Sequence, residues 1–233
     1  RNRIMTMNSI ILHTHLGLGD MFICNGLVRK FVAENDYDQY YVVCKRHYMH
    51  SVEPMYSDDD RITVVPIQAD DEYKEVKDLP FKAPTLRIGH ENLNTVGQRF
   101  DQSFYHQVGF SIEDKYGEAK VSRDADAEER CYSELVSGDE EYIFVHDESS
   151  VGTFDLQLPD GYKVIKPTSR DFTLLDFLKV IENAKQVHCI DSSFLNMIDV
   201  TLDRDELYFH DVKNPDGRPT LKDSWTIINY ENN

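Results

Sequence analysis

The sequence predicts an α/β protein built from two Rossmann-like halves, with mainly parallel sheets facing each other across a cleft. Two observations carry that expectation. Short apolar runs alternate with stretches of helical period, which is the pattern of parallel strands joined by crossover helices. The alternation also occurs twice, on either side of a charged stretch, Ser111 to Asp126, with few large apolar side chains. The divide is accordingly expected at 112/113, giving an N-terminal half of residues 1–112 and a C-terminal half of 113–233.

In the first half, Ser9 to His13 reads as a strand. A glycine-bearing turn follows, His15-Leu16-Gly17-Leu18-Gly19-Asp20. Ile23, Leu27 and Phe31 then recur at helical spacing, with Cys24, Val28 and Val32 beside them. Gly26 falls inside that helix and weakens it unless something packs closely there. Further strands are Tyr40 to Cys44, Arg61 to Pro66 and Thr85 to Gly89, and Gln98 to Val108 is a short aromatic-rich helix. Ala127 to Val136 is a helix at the entry to the second half. Strands follow at Tyr142–His146, Tyr162–Lys166, Gln186–Asp191 and Glu206–His210. The clearest helical period in the chain runs from Asp171 to Lys185, and a further helix spans Ser193 to Val200.

Composition narrows the function classes. The 233 residues carry 42 acidic and 25 basic side chains, a formal net charge of −17. A surface of that sign does not neutralise phosphate backbones or dock on anionic membranes. No apolar run approaches the ~20 residues of a membrane span. Residues 1–7 are too short and too polar to read as a secretory signal. Cys24, Cys44, Cys131 and Cys189 are scattered through apolar stretches, with no paired spacing. They read as small core residues in a reducing compartment, so a cytoplasmic location is expected.

Three stretches can carry chemistry. Gly17-Leu18-Gly19-Asp20 follows the first strand, where an open sheet binds ligands and glycines let a substrate approach the backbone. Phe22 stands where a full dinucleotide fingerprint needs glycine. Asp20 reads either as a helix N-cap or as a general base. Asp191-Ser192-Ser193 sits between a strand and a helix and reads as a phosphate seat or as a cap. His146-Asp147-Glu148-Ser149-Ser150 ends another strand, and Ser149 with the residues after it offers donors to an anion, or else forms a solvated loop. Mid-strand His188 reads as a satisfied core histidine. His13 and His15 share a face if their strand continues, with no third metal ligand apparent. Asp58-Asp59-Asp60 contains an Asp-x-Asp but precedes a strand, which favours a solvated turn.

These stretches resemble the GT-B class of glycosyltransferases. His15 to Asp20 looks like the first loop of heptosyltransferase-like members, and the resemblance implies Asp20 as catalytic base. Cys189 to Phe194 is similar to the segment that holds the donor diphosphate, which implies Gly17, Gly19, His146, Ser149, Asp191, Ser192 and Ser193 as donor- or phosphate-binding residues. Phe144 to Asp147 is placed like the histidine-bearing strand end of GT-B fucosyltransferases. There the histidine is closely followed by an arginine, whereas this chain has Asp147, leaving Arg170 or Lys166 to grip the donor phosphates. The implied activity is metal-independent transfer of a sugar from a nucleotide-diphosphate sugar to the hydroxyl of a glycan or other acceptor, without a cofactor. Two alternatives stand beside it. One is a non-catalytic module that binds a nucleotide or glycan. The other is a metal-dependent GT-A-type transferase using Asp58 and Asp60.

Overall fold

The computed structural model describes residues 8–168, 170–213 and 217–230, and divides into two compact units, residues 1–122 and 123–233. Residues 1–7, considered above for a secretory signal, lie outside the described residues.

Unit 1 contains β1 (Ser9–His13), α1 (Leu18–Ile23), α2 (Asn25–Glu34), β2 (Gln39–Lys45), α3 (Met49–Val52), β3 (Ile62–Ile67), α4 (Glu72–Lys77), β4 (Thr85–Arg87), α5 (Phe100–Gln107) and α6 (Asp114–Gly117). Its four strands are all parallel, in the order β3-β2-β1-β4. Ile10, Ile11, Leu12, Val42 and Val43 are all buried, as the strands of a parallel sheet covered on both faces require.

The first helix is split at Cys24 for a visible reason. The Tyr105 hydroxyl donates to the Ile23 carbonyl at 2.7 Å and accepts from the Leu27 N–H at 3.1 Å. Those two backbone groups would bond to each other in an unbroken helix, so the phenol is inserted into the ladder. Gly26 has the close neighbour its position demanded. A Cβ there would stand 2.5 Å from the Asp114 carbonyl oxygen and 2.8 Å from that of Lys115. The backbone of α6 therefore lies directly on α2, and Lys30 adds an ion pair to Asp114 at 2.8 Å. Fully buried Lys115 lies 3.8 Å from the equally buried Asp101 at the start of α5. These contacts tie residues 113–122 to unit 1, so the observed divide falls ten residues after the expected 112/113 boundary.

Unit 2 contains α7 (Ala125–Leu135), β5 (Tyr142–His146), the hairpin strands β6 (Glu148–Ser149) and β7 (Gly152–Thr153), β8 (Lys163–Ile165), α8 (Leu178–Asn183), β9 (Gln186–Cys189), α9 (Ser193–Thr201), β10 (Leu207–Asp211) and β11 (Trp225–Asn229). Its main sheet is parallel throughout, in the order β11-β10-β9-β5-β8. The helix expected over Asp171–Lys185 is shorter. Thr173 opens a capping box with Asp176 over a 3-10 turn, Leu174–Phe177, and α8 ends at Asn183. β11 did not stand out in the sequence. It is anchored by Asp199 of α9, whose carboxylate accepts from Trp225 Nε1 and from the Lys222 N–H, both at 3.0 Å.

His188 is a satisfied core residue. Its Nε2 donates to Gln186 Oε1 at 3.0 Å, its Nδ1 accepts from His210 Nε2 at 2.9 Å, and His210 Nδ1 accepts from the Tyr230 hydroxyl at 2.7 Å. In this arrangement both rings are neutral, each accepting at Nδ1 and donating at Nε2. Burial holds both histidines down to about 4. The cysteines are free and buried, as expected.

Two predictions follow from this packing. Between pH 6.5 and 4 the unfolded chain binds protons at these histidines that the folded chain excludes, so their contribution to stability is complete above pH 6.5 and is lost as pH falls. The melting temperature should drop from pH 7 to pH 5, and His210→Gln should flatten that dependence. Gly26→Ala forces a methyl group into backbone and should destabilise by about 1–3 kcal/mol in urea unfolding.

Candidate functional site

Both sheets reverse their strand order once, and an open parallel sheet binds ligands beyond the carboxyl ends of its strands at such a point. In unit 2 the reversal lies between β5 and β9. His146 ends β5, and Asp191, Ser192 and Ser193 follow β9 into α9. Together with Glu148, Ser149, Ser150 and Lys213 they line a pocket of about 480 Å³. Five residues singled out from the sequence thus come together: His146, Ser149, Asp191, Ser192 and Ser193.

Ser192 fills two roles. Its hydroxyl caps α9 by accepting from the Leu195 N–H at 3.3 Å, and it lies 3.0 Å from His146 Nδ1. A hydroxyl that accepts from an amide still has its proton to give, so it can donate to Nδ1 of a neutral ring. Burial lowers His146 to about 4; Asp147 opposes the shift and Lys213 adds to it. The ring packs against Phe194, with centroids 4.7 Å apart. The first-turn N–H groups of α9 have no carbonyl partner within the helix; that of Leu195 bonds to Ser192, and those of Ser193 and Phe194 point outward with the positive end of its dipole.

The cation at this site is Lys213, which the sequence reading did not single out. Its ammonium donates to the Asp191 carbonyl at 2.7 Å and belongs to the pocket wall. Lys166 is instead paired with the nearly buried Asp147 at 2.5 Å, and Arg170 is exposed and not among the lining residues. Nothing local in the sequence marks Lys213, because it reaches the site from the far end of β10.

In unit 1 the reversal lies between β1 and β4. Asp20 is the third residue of α1, not its cap. The cap position is Gly17, which offers no side chain. The Asp20 carboxylate turns back over that glycine, where a Cβ would come within 2.7 Å of Oδ2. Gly17 thus makes room for the carboxylate beside the strand end, and Gly19 lies within the helix. At the same reversal His15 Nε2 accepts from the His90 N–H at 2.7 Å, and His90 Nε2 donates to the Thr14 carbonyl at 3.0 Å. His13, the last residue of β1, faces Glu72 Oε2 at 3.3 Å. The sequence paired His13 with His15; the structure instead brings His13 together with Glu72 and His90, whose ligand-capable atoms lie within 4.8 Å of one another.

The Asp58–Asp60 turn serves packing. Asp58 pairs with Arg29 at 2.6 Å and Lys120 at 2.5 Å, and Asp59 with Arg61 at 2.8 Å. These bonds hold Asp58 well below the usual carboxylate range and lower Asp59 as well. Asp58, one of the two carboxylates that the GT-A alternative needs, is engaged by Arg29 and Lys120, and two separate parallel sheets are not the GT-A architecture, so that alternative is withdrawn.

No known family's profile matches the sequence, and no curated protein matches it. Solved structures do match the fold. One is the Escherichia coli ADP-heptose LPS heptosyltransferase II, with a TM-score of 0.59, 11% identity, and 95% of this chain and 90% of that one covered. Another is a glycosyl transferase family 9 protein from Veillonella parvula, with a TM-score of 0.56, 9% identity, and 96% and 86% covered. The fold is of the GT-B type. Among the described residues no helix is long and apolar enough to cross a membrane.

Ser192→Ala removes both a helix cap and the partner of a buried ring. It should cost about 1–2 kcal/mol in chemical unfolding and raise the pKa of His146 measured by NMR titration, since the free ring can turn toward water.

Proposed function

We propose that the protein is a glycosyltransferase that moves a sugar from a nucleotide-diphosphate sugar to an acceptor hydroxyl without a metal in the transfer step. The single observation that carries this reading is the pocket beside the α9 N-terminus, where His146, Ser192, Ser193 and Lys213 meet at the strand-order reversal of unit 2. The E. coli protein of like fold is by name an ADP-heptose transferase, which supports the donor class.

The first-turn amides of α9, the Ser193 hydroxyl and the Lys213 ammonium would take the diphosphate and its growing charge as the bond to the sugar breaks. With the Ser192 hydroxyl donating to Nδ1, the His146 ring would offer Nε2–H to a phosphate or sugar oxygen. Glu148 and Asp191 suit ribose or sugar hydroxyls, which donate to carboxylates. Asp20 of unit 1 would accept the proton of the attacking hydroxyl, and direct displacement would invert the anomeric centre. Gly17 allows that carboxylate its position.

One observation favours a second reading, a non-catalytic module for a neutral glycan. Two carboxylates, Glu148 and Asp191, share the pocket with one ammonium, so side-chain charge alone does not draw in a diphosphate.

A thermal-shift series with ADP, GDP, UDP, CMP and dTDP, with and without EDTA, separates the two. The proposal expects one nucleoside diphosphate to stabilise by about 2.7 kcal/mol at 100 times its Kd, unchanged by EDTA and reduced in Lys213→Ala. With the matching sugar nucleotide, Asp20→Asn should keep the shift and lose transfer. Stabilisation by glycans and by none of the nucleotides would favour the binding module.

A further inference from the structure

The reversal point of unit 1 holds a cluster that the transfer mechanism does not use. His13 arrives at the end of β1, His90 directly after β4, and Glu72 on the first turn of α4. Their ligand-capable atoms all lie within 4.8 Å of one another. Donors bound about 2.0–2.2 Å from one ion sit at most about 4 Å apart, so each has to move by less than about 1 Å to close on it. His13 is buried, and its Nδ1 is a buried polar atom with no hydrogen-bond partner among the described residues. The nitrogen that faces Glu72 Oε2 is Nε2, at 3.3 Å, and the cluster stands at a ligand-binding position of the sheet.

The local backbone holds the set together. Gly89 has a φ of 78°, and a Cβ there would stand 2.7 Å from both His15 Nε2 and Phe104. His90 itself lies at a φ of 51°, uncommon for a residue with a side chain. His15 supports the turn from outside the cluster by accepting the His90 N–H. His90 donates Nε2–H to the Thr14 carbonyl, the kind of outer bond that fixes the ring of a metal-binding histidine.

We propose that His13, Glu72 and His90 form a site for one divalent first-row transition ion. Two imidazoles and one carboxylate suit zinc or iron(II), and calcium and magnesium prefer an all-oxygen shell. Three protein ligands leave at least one position open to water or to an added ligand. His13 also lines a pocket of about 560 Å³ with Tyr73, Lys77, Lys82 and Arg87. In a chain of net charge −17 those three cations make the pocket a place for an anion, and an anionic oxygen is the group expected at the open position.

The test is a cobalt(II) titration of the EDTA-stripped full-length chain, read by visible d–d absorption and by metal analysis after gel filtration. One equivalent should bind. Glu72→Gln and His90→Asn should each weaken binding by about 100-fold or more. Asparagine tolerates the backbone conformation of residue 90, and Glu72 is only half-buried, so both variants should keep the far-UV circular dichroism of the parent. His50→Gln, at an exposed histidine away from the cluster, should bind as the parent does. No binding by the parent, or binding that survives in both cluster variants, overturns the site. The readout is independent of nucleotide binding in unit 2, so the failure of either proposal leaves the other standing.

Discussion

Everything of functional interest in this protein hangs on where a parallel sheet reverses its strand order. β1 pairs with β2 on one side and β4 on the other, and β5 pairs with β8 and β9 in the same way. Chain connections leave such a strand in opposite directions, so no crossover covers its carboxyl end, and a crevice forms there. In unit 1 that crevice collects His13, His15, His90 and the loop to Asp20. In unit 2 it collects His146, Ser192, Ser193 and Lys213. The two orders differ, 3-2-1-4 in unit 1 and a flavodoxin-like 2-1-3-4-5 in unit 2, counting the strands of each main sheet. The same rule therefore yields two different candidate sites.

Burial supplies the second constraint. The strands and the loops beside them are dry enough that His13, His146, His188 and His210 are all pushed down to about 4, chiefly by desolvation. A neutral imidazole has one donor and one acceptor, and each of these rings is defined by what it meets. His188 and His210 spend both nitrogens on a relay from Tyr230 to Gln186 and act as core. His146 spends one on Ser192 and keeps the other. His13 spends one on Glu72 and leaves Nδ1 without a partner. The unspent nitrogens belong to the two rings at strand ends, and that is what separates a site from a scaffold here.

Much of this was legible in the sequence, for identifiable reasons. Apolar runs such as Tyr142–His146 mark buried parallel strands, and Asp191-Ser192-Ser193 marks a strand-to-helix junction by its capping chemistry. Gly26 announced a close approach that α6 provides. What stayed hidden depends on distance along the chain. Glu72 lies on a short charged helix without an apolar period, and His90 is aimed by the conformation of Gly89; neither leaves a local signature beside His13. Lys213 sits 67 residues from His146 by position in the sequence and joins it only because β9 separates β5 from β10 in the sheet. The boundary shifted for a related reason: the polar stretch from Ser111 looked like a linker, yet Lys115 buries its ammonium beside Asp101.

The acidity of the chain bears on how it could hold an anion. A histidine followed by arginine would grip a diphosphate with a delocalised cation; here Asp147 follows His146, and Lys166 is consumed in neutralising it. What remains is one ammonium and the amide dipoles of α9. Amides carry no net charge to be cancelled by neighbouring carboxylates, and their orientation is set by the helix before any ligand arrives. They can therefore coexist with Glu148 and Asp191, which a cluster of arginines would instead bind and neutralise. A site of this kind would draw its selectivity from geometry more than from charge, since an anion would gain only if its oxygens reached the first turn of α9 while its hydroxyls reached the two carboxylates. A nucleotide-diphosphate sugar has both kinds of group, whereas inorganic phosphate offers mainly the first.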